Sequence, residues 1–147
     1  MARWVRGTLL LIAVGLIAVF GVAAWLNPYL ANGEARLMET HLQLGLQPCT
    51  FKKFTGIPCP SCGMTTSFAL LMHGDLWNSL RANAVGTLLA IVCLAFIPWS
   101  LVSIVCKRLL FIGAPERAAL VLVIVFVGLM MLRWVVVVGW MWWHGSI

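Results

Sequence analysis

The sequence is poor in charge and poorest in acid. Asp and Glu together number four, and charged residues of both signs make up 10% of the chain. A water-soluble domain carries roughly a quarter. The shortage removes whole classes of chemistry. Acid–base catalysis would have to rest on Glu34, Glu39 or Asp75, and none has an evident carboxylate partner. No Ser-His-Asp order, phosphate-binding glycine loop or haem-attachment motif is present. No catalytic residue is assigned, and whether the chain is an enzyme stays open. Internal repeats and low-complexity segments are also missing. The net charge of +6 is spread in pairs along the chain, not gathered in a block, which argues against a nucleic-acid partner.

What is abundant is apolar surface, at 63% of 147 residues. A chain this short has too much surface to hide that load in a water-facing fold, so its partner is a lipid bilayer. Three uncharged or nearly uncharged runs stand out: 7–26, 84–106 and 118–140. Each is long enough to cross a hydrocarbon core of about 30 Å as a helix. Pro98 is expected to kink the second, which lipid-embedded helices tolerate. Arg133 interrupts the third. Trp134, Trp140, Trp142 and Trp143 follow it like an interfacial belt, so Arg133 is expected to snorkel to the membrane surface and not to sit mid-membrane.

Orientation follows from the basic residues. Arg3 and Arg6 precede the first run, and Lys107, Arg108 and Arg117 bracket the connection between the second and third. The positive-inside rule puts both sets in the cytoplasm. The N-terminus is then inside, and segment 27–83 outside. Arg36, Lys52, Lys53 and Arg81 oppose this, diluted over a long segment. The first run has the basic start and a Val22-Ala23-Ala24 stretch typical of a signal peptide, but its apolar core exceeds the usual 7–15 residues. It reads as an uncleaved anchor. The expected fold is an all-α integral membrane protein, a single membrane domain over 1–147.

Segment 27–83 is unlike the rest. Glu34–Leu46 is loosely amphipathic and predicts a short helix on the membrane surface. Cys49 follows, then Gly56-Ile57-Pro58-Cys59-Pro60-Ser61-Cys62-Gly63, a turn-rich stretch. Met64–Met72 reads as a helix. His73-Gly74-Asp75 ends it, with Gly74 suited to the C′ position and Asp75 to capping a further helix, Leu76–Ala82. A helical hairpin thus follows the cysteine turn. Lys52 and Lys53 are expected to meet lipid phosphates.

These residues carry a resemblance. Cys49, Gly56, Pro58, Cys59, Pro60, Cys62, Gly63, Thr65, Gly74, Asp75, Ala82 and Asn83 together resemble the DUF2752 family, small bacterial membrane proteins of unknown function. The likeness covers about Pro48–Leu94. It implies residence in a bacterial inner membrane, and no reaction. Two positions depart from the pattern. Thr66 stands where the family commonly has Arg, and Asn83-Ala84 where it commonly has Asn-Pro. If that Arg serves an anionic ligand, this chain lacks it.

Four readings of the loop thiols are open. Cys-Pro-x-Cys-Gly has the shape of a zinc knuckle. With Cys49 as a third ligand, the fourth would be His41, His73, Asp75 or water; Met64, Met72 and His73 would also suit Cu(I). The candidate metal set is therefore Cys49, Cys59, Cys62 and His73, with zinc the cofactor it admits. A structural disulfide from Cys49 to Cys59 or Cys62 would suit an outward loop, though it strands one thiol. Redox exchange is the third reading, with Cys59 as reactive thiol before a helix and Cys62 resolving. Unused thiols are the fourth, and this reading is assigned outright to Cys93 and Cys106. The functional expectation is a non-enzymatic membrane component. Its cysteine turn, held by a disulfide or zinc, would shape a docking surface for a partner membrane protein or a second copy. The alternative is a membrane thiol-redox or soft-metal handling protein.

Overall fold

The computed structural model describes residues 3–108 and 115–145. Among them the chain is helical, without strands. Three helices are long and apolar enough to cross a membrane: α1 (Arg3–Trp25), α4 (Leu76–Val105) and α5 (Pro115–Trp143). Two short helices lie between the first two, α2 (Thr50–Thr55) and α3 (Met64–Met72). Part of the expected basic connection between the last two spans, residues 109–114, lies outside the described residues.

The buried part of the molecule is where α1, α3 and the first half of α4 meet. Phe20 of α1 stacks on Phe68 of α3 at 5.4 Å between ring centroids. Leu26, Ala69, Leu70, Ala82 and Ala90 fill the remainder. Much of this core is polar. Ser79 Oγ donates to the Ser67 carbonyl at 2.8 Å and lies 2.7 Å from Thr87 Oγ1. Thr40 Oγ1 donates to Thr66 Oγ1 at 2.9 Å. Buried hydroxyls need such partners, since an unpaired one costs about 1–3 kcal/mol. The α3–α4 approach is close enough that a Cβ on Gly86 would lie 2.6 Å from Ser67 Oγ. The outer faces of the spans are apolar and exposed, α5 most of all, as lipid contact requires.

The His73-Gly74-Asp75 break forms as its residues predict. Gly74 takes φ +79°, and the Asp75 carboxylate accepts from the Asn78 amide at 3.1 Å, capping α4. The predicted helix from Leu76 and the second span then run on as one element. Its backbone departs from helical dihedrals at Asn83 (φ −161°, ψ 100°), not at Pro98. Asn83 supplies the substitutes that make this break tolerable: its Oδ1 accepts from the Gly86 amide at 3.0 Å.

The helix expected over Glu34–Leu46 is confined to a 3-10 turn, Thr40–Leu44. Upstream, Asn32-Gly33 turns the chain back, with Gly33 at φ +83°. The Leu30 amide donates to the Glu34 carbonyl at 2.8 Å, and Tyr29 bridges Ala35. Turn chemistry of this kind outcompetes a weak helical pattern. Glu39 then adopts a left-handed conformation (φ 69°) that closes off the 3-10 turn at its start.

Candidate functional site: a three-thiol cluster

Cys49 sits immediately before α2, in a backbone conformation that ends the preceding extended stretch. Helix α2 was not foreseen. It spans the interval between Cys49 and the cysteine turn, and Gly56 at φ +71° ends it. It therefore carries the chain out and returns it, so that Cys59 and Cys62 come back beside Cys49. The turn itself is tight. The Cys62 amide donates to the Cys59 carbonyl at 3.0 Å, and the Met64 amide to the Ser61 carbonyl at 3.1 Å. The Cys59 amide points at Cys62 Sγ, 3.3 Å away, the N–H···S contact that favours a thiolate there when one forms.

Gly63 closes the turn and opens α3. It needs to be glycine on two counts. Its φ is +84°, and a Cβ would lie 2.6 Å from the Ala82 carbonyl oxygen and 3.0 Å from that of Leu37. The turn is thus seated directly on the backbone of α4 just before its break. Asn83 Nδ2 adds a hydrogen bond to the Cys62 carbonyl at 3.1 Å.

The result is convergence. The sulfurs of Cys49, Cys59 and Cys62 all lie within 4.8 Å of one another. Cys59 and Cys62 are 3.2 Å apart, as separate thiols. That lies between a disulfide bond of about 2.05 Å and the roughly 3.8 Å edge of a sulfur tetrahedron around zinc at 2.3 Å. The three thiols differ in character. The Lys52 backbone amide, then the neighbouring Cys59 and Cys62 thiols, bring Cys49 down to about 7. Burial, then hydrogen bonding to Cys59 and Cys49, pushes Cys62 up to about 12. The lowered thiol is Cys49, which the sequence offered as a third ligand or exchange partner.

A cavity of about 230 Å³ opens beside the sulfurs, walled by Met38, Glu39, His41, Lys52, Met64 and Thr66. Lys52, expected to meet lipid phosphate, has a partner within the protein. Its Nζ donates to Glu39 Oε1 at 2.8 Å across this cavity. The bond holds the Glu39 carboxyl below the usual carboxylate range and the Lys52 ammonium above its own. Neither partner was singled out as a site residue, because nothing in one dimension places position 39 opposite position 52.

His73 does not join the cluster. It sits at the far end of α3, about 13 Å of helix from the turn at 1.5 Å per residue. There its Nδ1 lies 2.8 Å from the Ala69 carbonyl and its ring meets Tyr29 edge-on. His41, another of the candidates for a fourth ligand, lines the cavity beside the sulfurs. Asp75 and Met72 lie at that same distant end, with Asp75 committed to its cap. Thr66, at the position where an Arg was the family expectation, is buried and holds the 3-10 turn through Thr40. Cys93 is half-buried and Cys106 exposed, both on or at the end of the second span and apart from the cluster.

Arg133, expected to snorkel to the membrane surface, is half-buried beside the start of α4. Its Nη2 donates to the Ala82 carbonyl at 3.1 Å. Its neighbour Trp134 donates from Nε1 to the Pro58 carbonyl at 2.9 Å and packs against Phe51.

No curated protein and no solved structure matches the chain. The segment that builds the cluster and its seat, residues 49–97, matches the model of the family DUF2752, described as a protein of unknown function.

Proposed function

We propose that this protein is a small membrane component whose loop cysteines form a thiolate site for a soft metal ion, zinc in the first instance. One observation carries the reading: three sulfurs from two separate stretches of chain converge within 4.8 Å beside an open cavity. A disulfide needs two sulfurs and leaves the third without purpose, whereas tetrahedral zinc or trigonal Cu(I) uses all three. The donor set is soft, and Cys49 ionises near neutrality, so ligation there releases few protons. His41 or a water from the cavity would complete four-coordination. The metal would fix the arrangement of α2, the turn and α3, and so shape a docking surface at the membrane interface for a partner membrane protein or a second copy. Placement in a bacterial inner membrane with the N-terminus cytoplasmic and the loop outside belongs to the same proposal, supported by the charge distribution.

A second reading is favoured by a different observation, the pairing of an ionisable Cys49 with two thiols 3.2 Å apart. Here the Cys49 thiolate attacks a client disulfide and releases one client thiolate. Cys59 or Cys62, giving up its proton to water, then attacks the Cys49 sulfur and releases the second. The client gains two electrons, and the loop is left with one disulfide.

Metal analysis and a thiol count on protein purified without reductant decide between them. Stoichiometric zinc lost in the triple variant C49S/C59S/C62S supports the metal site. A loop disulfide without metal removes it. Labelling of Cys59 by a membrane-impermeant thiol reagent in intact cells tests the outward placement; labelling only after the membrane is opened would refute it.

A further inference from the structure

The third span has little to hold it. Its apolar side chains face outward along most of its length, and it packs on α4 and, through Trp134, on Phe51 of α2. Yet two successive residues, Arg133 and Trp134, leave this span to make hydrogen bonds with backbone carbonyls elsewhere. Both carbonyls flank the cysteine turn. Pro58, the acceptor for Trp134, immediately precedes Cys59. Ala82, the acceptor for Arg133, is the residue whose carbonyl abuts Gly63, immediately after Cys62. Its neighbour Asn83 bonds the Cys62 carbonyl. The turn is thus gripped on its entry and, through Ala82, beneath its exit.

We infer that Arg133 and Trp134 are positioning residues, through which the third membrane span holds Cys59 and Cys62 converged on Cys49. The physical argument is one of competing strands of support. The turn's own hydrogen bonds set its local shape, and contacts between the thiols themselves join it to Cys49, which arrives from the other end of α2. Trp134 supplies a further tie. Its indole N–H holds Pro58 while its ring packs on Phe51 of α2, so one side chain spans both thiol-bearing stretches. Arg133 holds the floor. The Ala82 carbonyl lies one residue before the break in α4, where the helix cannot hold its backbone groups in the regular ladder. A guanidinium on that oxygen keeps it from shifting under Gly63. Groups that orient metal ligands in this way are worth roughly 10–100-fold in metal affinity.

The zinc readout of this inference rests on the metal reading above; a second readout does not. Full-length protein in detergent is compared with the variants W134F and R133Q, with R133K retaining a cationic donor and W140F altering a tryptophan of the same span that contacts His144 instead. Zinc ion alone is titrated against a competing chelator. Separately, metal-free protein is treated with dibromobimane, which fluoresces when it links two neighbouring thiols. W134F and R133Q are expected to bind zinc about 10–100-fold more weakly and to lose bimane linkage between the Cys49 peptide and the Cys59–Cys62 peptide. R133K should keep most of both, and W140F all of both, with helical circular dichroism unchanged throughout. Wild-type affinity and linkage in W134F and R133Q would overturn the inference. So would equal losses in W140F, which would show a general weakening of the span. If wild-type protein binds no zinc, the metal reading fails, and the linkage pattern alone decides whether the third span positions the thiols.

Discussion

Alkylation of Cys49 offers a direct test of the electrostatics of the cluster. In metal-free, reduced protein, a thiol brought down to about 7 is half thiolate at pH 7. An ordinary cysteine near 8.5 is only about 3% thiolate there. The gain in reactive species is about 16-fold. It does not pass undiminished into rate, because a less basic thiolate is a poorer nucleophile. With a Brønsted coefficient of about 0.4–0.5, the fall from about 8.5 to about 7 slows each thiolate about four- to sixfold. The net advantage at pH 7 is therefore only about three- to fourfold, and the shape of the pH profile is the stronger signature. Cys49 should acquire iodoacetamide with a midpoint near 7 and reach its plateau where an unperturbed thiol is still rising. Protonation below 7 silences it. Cys62, pushed up to about 12, should stay unreactive through the same range. Trypsin cuts after Lys52 and Lys53, so Cys49 is read by mass spectrometry on a peptide separate from the other two. A Cys49 midpoint at or above 8.5 would refute the account, since the Lys52 amide and neighbouring thiols would then not be stabilising its charge.

Other consequences are structural. Gly63→Ala should destabilise the protein by about 2–5 kcal/mol, from about 1–2 for a left-handed side-chain residue and 1–3 for overlap with two backbone carbonyls. Gly74→Ala, equally left-handed but with nothing within 4 Å, should lose only the first part; equal losses in thermal unfolding would contradict the seating of the turn on α4. Asp75→Ala removes the cap of α4 and should cost about 0.5–2 kcal/mol, with faster amide exchange confined to its first turn. Thr66→Val leaves the buried Thr40 hydroxyl without its partner and should cost about 1–3 kcal/mol; a neutral result would mean the 3-10 turn is held elsewhere.

The spans were legible because lipid imposes one demand, uncharged length, that can be read residue by residue. The hairpin was legible because His73-Gly74-Asp75 punctuates it with residues that have few other uses. The stretch before Cys49 was not. Leu37, Met38, Leu42 and Leu44 gave a loose helical spacing, while Asn32-Gly33 and the Thr40–Thr66 bond, which links residues 26 apart, decided its path. The thiols were visible as a motif, but their convergence was not, because α2 looked like part of a turn. The lowered thiol is Cys49, which the sequence offered only as a third ligand or exchange partner. A helix follows Cys62 as expected, yet burial dominates there, and the amides that favour a thiolate sit beside Cys49. Arg133 posed a choice between a polar partner and the interface. It has a polar partner, the Ala82 carbonyl near the loop-side start of α4.

The break at Asn83 has a consequence for the bilayer this protein fits. Helix α4 has 30 residues and, if straight, would be about 45 Å long at 1.5 Å per residue, well beyond a hydrocarbon thickness of about 30 Å. Bending at Asn83 divides it into a first portion that travels with the loop and a remainder of about 33 Å that matches the membrane. That same residue holds the Cys62 carbonyl, so the membrane-length portion of α4 begins at the residue on which the cysteine turn is tied.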